Sequence, residues 1–147
     1  MKKLLYTNRK ALQLKMEREI EDFDYRFTRY EVDYSVTLAY TPEPIDLTPL
    51  LTKYIRETDH AIILQDQLYA IVFDSADENR GIKAANKLLT FFQQLYFSKS
   101  IFASAVTASN FNNPTQMISK LFDLLDYSIS HDMDNHVIDP SQIMGSR

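Results

Sequence analysis

Two short apolar runs and the residues that join them constrain the fold of this chain more than any other feature. The runs occupy residues 61–64 and 70–73, and they are rich in Ile and Val, as buried strands are. Residues 65–69 connect them, which predicts a hairpin with strands at 60–64 and 68–74. The connection contains neither Asn-Gly nor Asp-Gly, so the sequence leaves open whether the turn has only two residues.

The remainder of the chain alternates between helical and strand patterns. Apolar residues three and four apart predict one long first helix, about 35 Å from end to end. Such alternation is typical of an α/β domain in which helices cover a sheet. The other predicted elements, in chain order after the helix at 8–31, are a strand at 34–40, a helix at 48–57, the hairpin, a helix at 77–96, a strand at 101–108, a helix at 114–130 and a short strand at 136–138.

Composition excludes several classes of function. The chain has 147 residues, which fits one domain (1–147) with a single core. Its net charge of −4 argues against a general nucleic-acid binder. The absence of cysteine excludes disulfides and thiolate chemistry. No apolar run approaches the ~20 residues of a membrane span, so we expect no membrane insertion and a cytoplasmic location.

The order of elements and several local strings resemble a GGDEF (diguanylate cyclase) domain. Tyr-Thr-Asn-Arg at 6–9 is similar to the entry to that family's first helix, and Arg-Glu-Thr-Asp at 56–59 matches the Arg-Xaa-Xaa-Asp before its signature hairpin. Residues 101–109 and 127–137 resemble its later strand and closing motif. The resemblance covers nearly the whole chain. It implies a GGDEF/nucleotide-cyclase-like fold with a long N-terminal helix and a mostly antiparallel five-stranded sheet flanked by helices.

The resemblance also implies that the catalytic signature is lost. In the family, the hairpin carries two glycines, two acidic residues and a phenylalanine. The metal-binding aspartate of the preceding strand falls near Tyr40, and the metal-binding carboxylate of the signature falls at Gln67. Mg²⁺ needs carboxylate oxygens, so we expect no catalytic residue, no metal site and no cofactor. The degenerate signature positions are Gln65, Asp66, Gln67, Leu68 and Tyr69.

The closing motif departs in the same direction. The lysine and first arginine that face the phosphates in the family align here with Ser130 and Asp134. Nucleotidyl transfer depends on metal ions and cationic side chains. We therefore expect that the domain neither makes cyclic di-GMP nor holds GTP at the usual cleft. The metal-capable side chains of residues 131–136 match no ligand spacing and are interpreted as a polar turn.

Three functional interpretations follow. The leading one is an inactive regulatory domain in bacterial signalling that contacts a partner protein or a second copy, through an apolar row of Leu4, Leu5 and Leu14. The second is a cyclic di-GMP receptor, because Arg-Xaa-Xaa-Asp is the family's inhibitory site for that dinucleotide. The third is an enzyme with relocated carboxylates such as Glu43 or Asp66.

The residues predicted for the dinucleotide site also have an ordinary explanation. Polar residues often cap a helix end, and spaced lysines often form a solvated helix face. An arginine grips a guanine edge or a phosphate in bidentate fashion, and an aspartate accepts from guanine N–H groups. The predicted binding residues are Arg56, Asp59, Arg80, Lys83 and Lys87.

Overall fold

The computed structural model describes residues 6–144, which form a five-stranded sheet covered by helices on both faces. The strand order is β2-β3-β1-β4-β5, and every neighbouring pair is antiparallel except β4 and β5. The predicted α/β fold class, with its mostly antiparallel five-stranded sheet, is confirmed. The elements are α1 (Arg9–Glu19), α2 (Glu21–Tyr30), β1 (Tyr34–Tyr40), α3 (Thr48–Tyr54), β2 (His60–Gln65), β3 (Leu68–Asp74), α4 (Glu78–Leu95), β4 (Phe102–Thr107), a 3₁₀ turn (Ala108–Asn110), α5 (Pro114–Ser130), β5 (Val137–Ile138) and α6 (Pro140–Met144).

The central strand β1 separates two apolar cores. Val36, Leu38 and Tyr40 point to the side of α1, α2 and α5, whereas Ala39 points to the side of α3 and α4. All seven residues of β1 are buried, because helices cover both faces of the strand. Among residues 6–144, no helix combines the length and the hydropathy needed to cross a bilayer.

The first predicted helix is wrong in one respect, because it is interrupted at Ile20. That residue has φ −96° and ψ 5°, and it is fully buried. The helices on its two sides contact different elements: α1 packs on α5, and α2 packs on β1. The first turn of α2 contains three acidic residues, which favour a helix N-terminus at this point. No proline or glycine marks the break, so the apolar spacing alone predicted a continuous helix.

The other predicted helix that needs correction is 48–57, which ends at Tyr54. Ile55 is extended, and a turn follows in which Asp59 N–H donates to the Arg56 carbonyl at 3.0 Å. The Asp59 carboxylate accepts from Arg56 N–H at 2.8 Å. A local side-chain bond of this kind competes with helix continuation. The remaining predicted boundaries differ by one residue or less, and α6 was not predicted.

The start of α1 is fixed to α5 by an arginine. Arg9 donates to Asp126 and Asp123, each at 2.8 Å, and to the carbonyl of Ser119 at 2.9 Å. The Tyr6 hydroxyl also donates to Asp126, and burial raises the pKa of Tyr6. These bonds hold α1 against α5, although α1 has few buried residues of its own.

Helix α4 approaches β1 so closely that only glycine fits at one position. A Cβ on Gly81 would overlap the Oγ and Cβ atoms of Ser35. The Ser35 hydroxyl is buried between the Thr107 hydroxyl, at 2.8 Å, and the Ala76 carbonyl, at 3.1 Å. This contact sets the height of α4 above the sheet.

We expect Gly81→Ala to lower the free energy of unfolding by about 1–3 kcal/mol, because the added methyl group forces α4 away from β1. Chemical denaturation measures the change. Ser35→Gly removes the overlapping atoms, so this second substitution should destabilise the Gly81→Ala protein less than it destabilises the wild type. Asn86→Ala, at an exposed position of the same helix, is the control. A Gly81→Ala protein as stable as the wild type would contradict this packing.

Candidate functional site

The hairpin between β2 and β3 ends in a two-residue turn of Asp66 and Gln67, which answers the question that the sequence left open. Gln65 pairs with Leu68 across the turn, and Gln67 has φ 70°. For a residue other than glycine, this left-handed conformation raises the conformational free energy by about 1–2 kcal/mol. The Gln67 side chain donates to the Thr41 carbonyl at 2.7 Å, and Thr41 N–H donates to the Gln67 carbonyl at 3.0 Å. The turn is thereby fixed to the end of β1.

Tyr40, the position expected for a metal-binding aspartate, is part of the core. Its ring lies between those of Tyr6 and Phe102, with each centroid 6.5 Å away. Burial raises the pKa of the Tyr40 phenol, which keeps it neutral. A neutral phenol among aromatic rings does not replace a carboxylate on Mg²⁺.

A cavity of about 360 Å³ lies between the hairpin turn and the end of β1. Asp66 is its only charged lining residue in the described part of the chain, so a triphosphate would meet one negative charge and no cation. Glu43, the other candidate for a relocated carboxylate, does not line this cavity and instead pairs with Lys99 at 2.8 Å. The cavity lining is Thr7, Tyr40, Pro42, Gln65, Asp66 and Gln67.

Tyr69, at the position expected for the signature phenylalanine, holds the segment that follows β1. Its hydroxyl accepts from Leu47 N–H at 3.2 Å and contacts the Asp46 carboxylate at 3.4 Å. Burial raises the pKa of Tyr69 as well. The hydroxyl that distinguishes tyrosine from phenylalanine thus has a structural use in this chain.

The residues aligned with the closing motif contact their own neighbourhood and not the hairpin cavity. Ser130 donates to the Asp126 carbonyl at 2.7 Å, and Asp134 accepts from Ser100 at 2.8 Å. The His131 ring stacks on Tyr127 with centroids 3.9 Å apart. No cluster of three His, Asp or Glu side chains suited to a metal occurs within residues 6–144.

A second cleft, of about 420 Å³, lies between α3, the turn after it and α4. All five residues predicted for dinucleotide binding line this cleft. Its apolar wall includes Tyr54, Phe73 and Leu88, which the charge pattern did not indicate. Tyr54 and Leu88 have the helical spacing that is typical of core residues, so no local pattern distinguishes them as residues that line a cleft.

Arg56 and Asp59 have different roles in this cleft. The side chain of Arg56 is 59% exposed and that of Asp59 is 2% exposed, and the two pair at 3.0 Å. Asp59 also accepts from the backbone N–H groups of Arg56 and Asp74, at 2.8 and 2.9 Å. The Arg56 guanidinium donates to the Asp74 carbonyl. The oxygens of Asp59 therefore fix the turn to β3, which the sequence interpretation did not foresee.

The other three cations of the cleft lie on α4. Arg80, Lys83 and Lys87 are exposed, and their side chains have no hydrogen bond or ion pair to any residue from 6 to 144. Together with Arg56 they give the cleft four cationic side chains against the one carboxylate of Asp59. A concave site with this excess of positive charge attracts anions.

The proposed apolar row on the first helix is described only in part. Leu14 is 49% exposed on α1, so its side chain is available for contact. Leu4 and Leu5 lie outside the described residues.

We expect Asp59→Ala to lower the free energy of unfolding by about 1–3 kcal/mol, because it leaves two backbone N–H groups and a guanidinium without their acceptor. Denaturant titration tests this. Asp66→Ala removes an exposed carboxylate from the hairpin turn at the other end of β3 and should change stability by less than about 0.5 kcal/mol. Equal effects of the two substitutions would show that the Asp59 bonds do not stabilise the turn.

Comparison with known proteins finds no matching family model and no matching curated protein. Solved structures do match. The GGDEF domain of DgcB from Caulobacter crescentus, in complex with c-di-GMP, is 8% identical with a TM-score of 0.71, covering 90% of this chain and 88% of that one. The active GGEEF domain of a diguanylate cyclase from Vibrio cholerae is 12% identical with a TM-score of 0.66, covering 90% and 96%.

A third match is the diguanylate cyclase SiaD from Pseudomonas aeruginosa in complex with its activator SiaC. It is 6% identical with a TM-score of 0.67, and the match covers 86% of this chain and 57% of that one. At these identities the likeness concerns the path of the chain and not its chemistry. The chain has the fold of a GGDEF domain.

Proposed function

We propose that this chain is a catalytically inactive domain with the GGDEF fold, acting in the bacterial cytoplasm as a regulatory, protein-binding module. The observation that carries the proposal is the state of the two metal positions. Tyr40 is buried among aromatic rings, and the Gln67 side chain donates a hydrogen bond to the Thr41 carbonyl at the end of β1. Neither residue offers a carboxylate oxygen, and the adjoining cavity has no cation among its described lining residues.

A role in protein contact is supported by one of the structural neighbours. SiaD is a diguanylate cyclase seen in complex with its activator SiaC, so a protein that contains this fold can associate with a regulator. A domain without catalytic groups acts through what it binds, since a fold by itself confers no chemistry. A second copy of the chain is an alternative partner, and Leu14 is the described residue that supports it.

We expect no cyclic di-GMP and no released pyrophosphate when the protein is incubated with GTP and either Mg²⁺ or Mn²⁺. The physical reason is the absence of ligands for the metal that would neutralise the phosphates. A domain that retains the intact signature is the positive control in the same assay. Metal-dependent product that disappears in Asp66→Asn would instead support an enzyme with a relocated carboxylate.

A second candidate function is a receptor for cyclic di-GMP at the cleft between α3 and α4. The specific observation is that Arg56 lines the same cleft as three cations of α4. These three, Arg80, Lys83 and Lys87, have no partner within residues 6–144. DgcB, which shares the fold, is seen in complex with this dinucleotide. Because the oxygens of Asp59 are already bonded, the arginines and lysines would provide most of the recognition.

We expect calorimetry to detect cyclic di-GMP binding that weakens at least tenfold in Arg56→Ala and declines with added salt, since the contacts are mainly ionic. Arg18→Ala, which removes an exposed arginine from α1, is the matched control and should bind like the wild type. The absence of heat at ligand concentrations well above micromolar would eliminate this candidate and leave the inactive-domain proposal standing.

A further inference from the structure

One flank of α4 carries a continuous ridge of side chains that changes character along its length. Lys83, Lys87, Phe91 and Leu95 follow one another at intervals of four residues, and we call them the α4 ridge. Residues at this spacing lie above one another on a helix, and the ridge spans about 18 Å. The core-facing side of α4 is formed by other residues: Gly81, Ala85, Leu88, Leu89 and Phe92.

The first half of the α4 ridge is cationic. Lys83 and Lys87 are exposed, they have no ion pair within residues 6–144, and Arg80 and Arg56 stand beside them at the cleft. Like charges gathered in this way repel one another, so the isolated domain gains nothing from their proximity. An acidic ligand would relieve that repulsion.

The second half of the α4 ridge is apolar. Phe91 is partly buried and stacks on Tyr54 of α3, with ring centroids 3.6 Å apart and an interplanar angle of 15°. Leu95, one turn further along, is 56% exposed. An aromatic pair fixed by stacking next to an exposed leucine is a rigid apolar surface, which is typical of a contact site.

We propose that the α4 ridge is the docking site for an acidic amphipathic helix of a partner protein. This inference rests on the proposed protein-binding function and specifies the partner. A ridge of residues four apart packs into the groove between the corresponding ridges of a second helix. Carboxylates at one end of the partner helix pair with Lys83 and Lys87, and apolar side chains at its other end cover Phe91 and Leu95.

The shape of the surface favours a helix over a lipid bilayer. The four cations line a concave cleft, and a flat layer of anionic headgroups contacts a concave surface only at its rim. A partner helix lying along α4 reaches both the cations and the apolar half.

The docking site overlaps the candidate dinucleotide cleft only in part. Lys83 and Lys87 line the cleft, whereas Phe91 and Leu95 do not. An anionic dinucleotide in the cleft therefore competes for the lysines that hold the partner helix. This overlap gives the domain a physical route by which a small anion releases a protein partner.

The test uses a displayed library of helical peptides of about 14 residues, or four turns. Four positions at four-residue spacing vary among Glu, Lys, Leu, Phe and Ser, and selection is on the full-length protein. We expect enrichment of sequences with glutamate at one end and leucine or phenylalanine at the other. A synthetic peptide of the enriched sequence should bind at least tenfold more weakly to Lys83→Glu/Lys87→Glu and to Leu95→Ser.

The matched control is Arg18→Glu/Arg29→Glu, which changes the net charge by the same amount on α1 and α2 and should leave peptide binding unchanged. Leu95→Ser should leave any cyclic di-GMP binding unchanged. No enrichment, enrichment that persists on Lys83→Glu/Lys87→Glu, or retention by phosphatidylserine-rich vesicles without peptide binding would overturn the proposal. A cyclase product would overturn the inactive-domain proposal while leaving the peptide result to be judged separately.

Discussion

The burial of β1 on both faces is the constraint on which the rest of this structure depends. Because β3 and β4 flank the strand and helices cover it on both faces, all of its residues are buried. The strand positions three other parts of the chain. The hairpin turn is hydrogen-bonded to its end, α4 packs against Ser35, and its neighbour β3 carries Tyr69, which holds the segment after β1. A sheet fixed in this way retains its geometry when the residues at its edge change, so one fold can carry different chemistries.

The hairpin cavity and the cleft between α3 and α4 differ in charge. At the hairpin, Gln67 and Tyr69 make bonds that stabilise the domain itself, and the adjoining cavity has a single negative charge. Between α3 and α4, three of the four cations have no partner within residues 6–144, and Asp59 fixes the turn beside them. Polar groups that have internal partners support the fold, whereas exposed and unpaired cations are available to a ligand. This contrast is why the proposed binding functions are assigned to the cleft between α3 and α4.

Sequence reasoning succeeded where local pattern and burial agree. The strand at 34–40 and the helix at 114–130 were predicted at their observed limits, since the first is rich in aromatic and β-branched residues and the second begins at Asn113-Pro114. It failed at Ile20, where two helices that contact different elements meet without a proline or glycine. The predicted α3 was also three residues too long. The turn that ends it is stabilised by hydrogen bonds from Arg56 and Asp74 to the Asp59 carboxylate, and the periodicity of the sequence does not predict these bonds.

The sequence alone predicts the order of the elements and the residue types of the hairpin turn, because both depend on residues that are close along the chain. It also identified five residues as a candidate anion site. Their availability follows from the packing of the folded chain: Asp59 accepts hydrogen bonds from the turn and from β3, whereas the side chains of Arg80, Lys83 and Lys87 have no partner within residues 6–144. The packing of the folded chain also places Phe91 against Tyr54, because this contact joins two helices that are separated in the sequence by a hairpin. Contacts between such distant residues depend on how the helices pack on the sheet, so the spacing of residues along the chain does not predict them.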